Sequence, residues 1–242
     1  ALLAYVSAWL KCHHPAAFYV GLLNSQPMGF YSPSQLIQDA RRHNIMVFPV
    51  DVNHSSWDHQ LMPSANNQQP PIRLGLRLIK GLSEAAGKRI HAARVARAFN
   101  DVADLRQRAS LDRGDMEALA AADALLSLSG NRYQSHWQTM ALEEHRPLLP
   151  ADDALRHSDR DGVTITAPAL GEEVVADYRS TGLTLRAHPL ALLRHQYPFN
   201  RCKRQIELEP LGHRRFVRVA WLVTCRQRPG TASGVVFLTL ED

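Results

Sequence analysis

The chain has 242 residues, 45% of them hydrophobic and 21% charged, with a formal net charge of +5 and a pI near 9.4. That length holds one large domain or two to three small ones, and that mixture excludes an intrinsically disordered chain. No apolar run reaches the ~18 residues of a membrane span. Three dispersed cysteines, Cys12, Cys202 and Cys225, argue against a disulfide framework or a zinc site and for a reducing compartment.

Residues 1–12 carry Leu2, Leu3, Val6, Trp9 and Leu10 at helical spacing, which predicts a helix with a buried face. The stretch lacks the basic start and small-residue cleavage site of a signal peptide, and it begins without Met, as if in mid-helix. Cys12, His13 and His14 are metal-ligating types, but adjacent helical residues cannot converge on one ion. A second helix starts at Pro15 and a third at Ser32-Pro33, where Ser is the N-cap and Pro the first helical residue. Asn44 is its expected stop. IMVFPV (45–50) predicts a short strand that Pro49 confines to an edge or an end. Residues 61–71 (LMPSANNQQPP) are polar, Pro-rich and aperiodic, and mark a first boundary.

Residues 72–97 read IRLGLRLIKGLSEAAGKRIHAARVAR, two short helices around the turn Lys80-Gly81-Leu82-Ser83. From Arg73 to Arg108 there are nine Lys or Arg against three Asp or Glu, so this segment carries +6. A glycine turn lets the main chain approach a phosphate closely, and the unpaired N–H groups opening the next helix bind it. The predicted contacts are Gly81 for approach, the N–H groups of Leu82, Ser83, Glu84 and Ala85 as donors, and Lys80, Lys88 and Arg89 for attraction. Ile79, Leu82, Ala86 and Ile90 lock the helices together. The usual Gly-hydrophobic-Gly turn is here Gly81-Leu82-Ser83, with Ser83 as a cap. The competing reading is an ordinary loop with a solvated basic face.

Helices are predicted over 102–109, 112–128 and 133–142, followed by a linker over 143–171. Residues 172–194 are helical at both ends with a break at Gly182. After Pro210 the period becomes two: Val217, Val219, Trp221 and Val223 predict one strand, and 235–240 a second. The four tryptophans, Trp9, Trp57, Trp137 and Trp221, are dispersed and read as core anchors, not as a base-stacking platform.

Taken in order, YVSAWLKCHHPAAFYVGLLNSQPMGFYSPSQLIQDARRHNIMVFPVDVN resembles the later fingers region of bacterial C-family DNA polymerases, the polymerase III alpha subunits. LGLRLIKGLSEAAGKRIHAAR is similar to the helix-hairpin-helix that follows, and LDRGDMEALAAADAL to its second half. DYRSTGLTLRAHPL resembles the segment before the family's OB domain, and VRVAWLVTCRQRPGTASGVVFLTLED its first two strands. The HHPAAFY and LLNSQPMGFYSP wording is nearest the error-prone, translesion branch.

The resemblance implies a mainly α, multi-domain α+β fragment: fingers over 1–60, linker 61–71, a tandem helix-hairpin-helix over 72–142, linker 143–171, a connecting helical segment over 172–210 and a truncated OB domain over 211–242. It implies a part of a DNA-directed DNA polymerase that binds the duplex backbone. The family's catalytic carboxylates lie upstream; Asp51 and Asp58 do not match them, so no catalytic or metal residue is expected on this chain. Mg²⁺ is expected for the complete enzyme alone. DNA is the expected partner, with no membrane, in a bacterial, nucleoid-associated cytoplasmic setting; accessory translesion proteins are further candidates. The alternatives are a free-standing hairpin adaptor for repair and an inactive remnant of a broken gene.

Overall fold

The computed structural model describes residues 2–28, 31–64, 69–142, 163–230 and 234–242. It divides into two compact units, residues 1–185 and 186–242. The first unit begins with three helices, α1 (Leu2–His13), α2 (Pro15–Asn24) and α3 (Pro33–Arg42). The start of α3 follows its capping signal: Ser32 Oγ accepts from the Gln35 N–H, and Gln35 Oε1 accepts from the Ser32 N–H. Asn44 sits at φ +60°, where it ends the helix as expected. Tyr19 is buried and donates to Asp39, which also takes the Lys11 ammonium at 2.9 Å; this ties α1, α2 and α3.

The expected buried face of α1 is not buried. Leu2, Leu3, Val6 and Trp9 are 75, 83, 42 and 44% exposed, because α2 covers only one side of the helix. Trp137 is likewise 47% exposed, so two of the four tryptophans are not core anchors.

Three two-residue strands follow: β1 (Val47–Phe48), β2 (Gln60–Leu61) and β3 (Ile72–Arg73). The order is β1-β3-β2, with β3 parallel to β1 and antiparallel to β2, so β1 lies on an edge as Pro49 requires. The stretch expected as a boundary, 61–71, thus begins within β2, at Leu61, and ends at the residue before β3. The hairpin's expected first helix is corrected: Ile72 and Arg73 pair in the sheet, Leu74 is buried just beyond them, and helical structure before the turn is confined to a 3-10 turn, Leu76–Leu78.

The module continues with α4 (Glu84–Ala96), α5 (Val102–Arg108), α6 (Arg113–Ala121), α7 (Leu126–Ser129) and α8 (Arg132–Met140). The single helix expected over 112–128 breaks at Asp123, which takes φ +57° while the Ala124 N–H returns to the Leu119 carbonyl. Most of the expected linker over 143–171 lies outside the described residues; its end enters α9 (Leu170–Ser180). One continuous core runs from Ala16 through Ile72, Ile90, Leu105 and Leu119 to Leu183.

The second unit holds α10 (Pro189–Leu193), three 3-10 turns and an antiparallel pair, β4 (Leu222–Gln227) and β5 (Phe237–Glu241). The first strand starts later than its alternation suggested: Val219 makes an isolated parallel bridge to Lys203, and the ladder with β5 begins at Leu222. The ladder has an irregularity between Val223 and Cys225. The described residues are therefore mainly helical, with small sheets.

Candidate nucleic-acid interface

The turn at Lys80–Ser83 is tight and opens directly into α4. Gly81 sits at φ +88°, a conformation that costs other L-residues energy. Ser83 is the N-cap of α4, and its hydroxyl accepts from the Ala86 N–H at 3.1 Å. The Leu82 N–H is turned back to the Ile79 carbonyl at 3.4 Å, which removes it from the predicted donors. Glu84 and Ala85 occupy the first helical turn, where N–H groups have no intrahelical acceptor. Ile79, Leu82, Ala86 and Ile90 are all buried, as their locking role demands.

A second hairpin, between α5 and α6, repeats this plan. Ser110 takes φ +50° where the first turn has Gly81, Leu111 is buried like Leu82, and Asp112 caps α6 by accepting from the Asp115 N–H at 2.7 Å. The two turns pack reciprocally. Gly81 lies beside Ala118, six residues past the second cap. Arg89, six residues past the first cap, donates to the carbonyl of Ala109 in the second turn at 3.0 Å. Sequence reasoning missed this turn as a local signal because Ser stands where Gly was sought; the shared order hydrophobic-Ser/Asp would have found it.

The charges are placed differently from a simple solvated stripe. Lys80 donates through Nζ to the carbonyls of Tyr178 and Arg179, each at 3.1 Å. Arg89 also pairs with Asp115 at 3.2 Å. Burial, then the nearby Asp112, raises the Asp115 carboxyl above its usual range, with Arg89 opposing. Lys88 is 71% exposed and pairs with Glu84 at 2.7 Å, which raises its pKa. Arg94 donates to the carbonyls of Val52 and Ser55, at 2.8 and 2.6 Å, and burial lowers its pKa. Arg73 and Arg106 also donate to carbonyls, of Pro49 and Leu142. A carbonyl does not neutralise the cation it receives, so Lys80, Arg73 and Arg94 keep their charge while engaged, whereas Lys88 and Arg89 face carboxylates.

Of the predicted residues, Lys80, Gly81, Leu82, Ser83, Glu84 and Ala85 share one turn and helix start, with Lys88 and Arg89 one turn further along α4. Asp51 accepts from the Asn53 N–H and contacts His54, and Asp58 pairs with Arg77 at 2.8 Å. Among the described residues, no group of three or more His, Cys, Asp or Glu is arranged to hold a metal ion, and no helix is long and apolar enough to cross a membrane.

A family model described as a helix-hairpin-helix motif matches residues 44–135, which include both turns. Across its whole length the chain is similar to curated proteins called error-prone DNA polymerase. It is 55% identical over 244 residues to that of Teredinibacter turnerae, 53% over 245 to that of Saccharophagus degradans and 51% over 242 to that of Pseudomonas aeruginosa. The match covers all of this chain and 23% of each of those proteins.

Proposed function

We infer, from a chain related along its whole length to error-prone DNA polymerases, that it is a portion of such an enzyme and that it holds duplex DNA by its backbone, without reading sequence. The observation that carries this reading is the reciprocal pair of capped hairpins, each opening a helix whose first two residues, Glu84 and Ala85 or Arg113 and Gly114, are exposed; their N–H groups are the phosphate donors of this reading. A free-standing hairpin adaptor would account for residues 72–142 alone. The relation to polymerases extends over the residues on both sides, which favours the polymerase reading.

Within that reading, residues 1–60 are the end of a fingers region, 72–142 the tandem hairpin module, 172–210 a connecting segment and 211–242 the start of an OB domain. The order of resembling segments supports this assignment, and so does the two-stranded β4–β5 ladder. The complete enzyme would extend a primer with deoxynucleotides in the bacterial cytoplasm, with accessory translesion proteins as further partners. The resemblance puts the Mg²⁺-binding carboxylates of such chemistry in another region of the enzyme, so no chemical step is assigned to this chain. Its own residues bind and orient the duplex, and the purified chain is expected to be silent in primer extension.

The test is a binding titration of the 242-residue chain with two duplexes of unrelated sequence across a salt series. Equal affinities are expected, with log K falling against log salt at a slope of about −2 to −4, for a few phosphates neutralised. Salt-independent affinity, or strong preference for one duplex, contradicts the reading.

A further inference from the structure

The motif's most prominent cation, Lys80, does a task that its place in a DNA-binding turn does not suggest. An α-helix ends with carbonyls that lack intrahelical partners. At the end of α9 the Asp177 carbonyl accepts from the Thr181 and Gly182 N–H groups, at 2.9 and 3.2 Å. The next three carbonyls all go to one residue. Tyr178 and Arg179 accept from Lys80 Nζ, each at 3.1 Å, and Ser180 accepts from the Lys80 N–H at 2.9 Å. Gly182, at φ +80°, turns the chain away, and a Cβ there would lie 3.8 Å from the ammonium. The ammonium also sits where the negative end of the helix dipole favours a cation.

Helix α9 is itself firmly seated. Val174 is buried, Leu183 just beyond joins the core, and buried Arg132 on α8 pairs with Glu173 and Asp177. We propose that Lys80 is the C-terminal cap of α9 and a positioning residue for the first hairpin, not a phosphate ligand. The residues of α9 then belong to the DNA-gripping module, because they fix the turn from which Glu84 and Ala85 present their N–H groups. A phosphate that drew the ammonium away would forfeit both of its carbonyl hydrogen bonds, which opposes exchange of one partner for the other.

This inference rests on the duplex-binding reading for one of its two tests only. In the DNA-free chain, Lys80→Met should speed amide hydrogen exchange at Thr181 and Gly182 by tenfold or more while the circular dichroism stays folded. In the duplex titration, Lys80→Met should weaken binding but leave the salt slope as in the unsubstituted chain. Should the Met variant not fold, Lys80→Gln, which keeps a donor and loses the charge, serves for the slope. Unchanged exchange at Thr181 and Gly182 overturns the proposal, and so does a slope smaller by about one, the signature of a lost phosphate contact. Failure of the unsubstituted chain to bind duplex sinks the functional reading instead, and the exchange measurement still decides the role of Lys80.

Discussion

His59 is 4% exposed, and its Nδ1 accepts from the Gly75 N–H at 3.1 Å, while the Asn24 side chain brackets its backbone from both sides. Burial, reinforced by the Arg77 charge, pushes its pKa down to about 4. The folded state therefore holds His59 neutral where an unfolded chain would protonate it, near pH 6.5. The stability it protects is complete above about pH 6.5 and is lost as the pH falls toward 4, with about 2 kcal/mol gone by pH 5. His59→Asn keeps an acceptor for Gly75 and removes the titration; urea denaturation across pH 4–7 should show its stability changing less with pH than the parent's. Gly87 makes a second residue-scale case. A Cβ there would lie 2.4 Å from the Trp57 ring, so Gly87→Ala, favourable to a free helix, should destabilise by about 1–3 kcal/mol through overpacking. Neither role was legible in the sequence: a lone His and a helical Gly carry no local sign of the neighbour brought to them by the fold.

At the scale of elements the two hairpins invite opposite substitutions. Gly81 and Ser110 occupy matching left-handed positions, at φ +88° and +50°. Gly81→Ala should cost about 1 kcal/mol, and Ser110→Gly should relieve strain and raise the melting temperature. The first turn was readable because its glycine and its Ser83 cap are local chemistry. The second was hidden locally by its serine and was suggested only by resemblance. The first half of the first hairpin was misread as a helix because Leu74, Leu76 and Ile79 also suit a helix; pairing of Ile72 and Arg73 with strands on both sides decided otherwise. The basic count was read correctly as a number, but not as an arrangement. Sequence does not reveal that Arg73, Arg94 and Arg106 end on backbone carbonyls. In α1 the helical period was right and its burial wrong, since periodicity reports an apolar face and not what covers it.

For the whole molecule, the continuous core from Ala16 to Leu183 makes the hairpin module part of a larger unit. Arg94 holds the 52–55 loop, Trp57 packs on α4, and Lys80 caps α9. A piece limited to residues 72–142 loses all three, and its urea unfolding should be less cooperative, with a lower midpoint than that of the 242-residue chain. The central claim concerns which atoms meet DNA, and amide chemical-shift mapping during a duplex titration tests it most directly. The account predicts that the N–H signals of Glu84 and Ala85, together with Arg113 and Gly114 at the second helix start, shift first and most. Shifts that leave both helix starts unmoved while binding proceeds would contradict it.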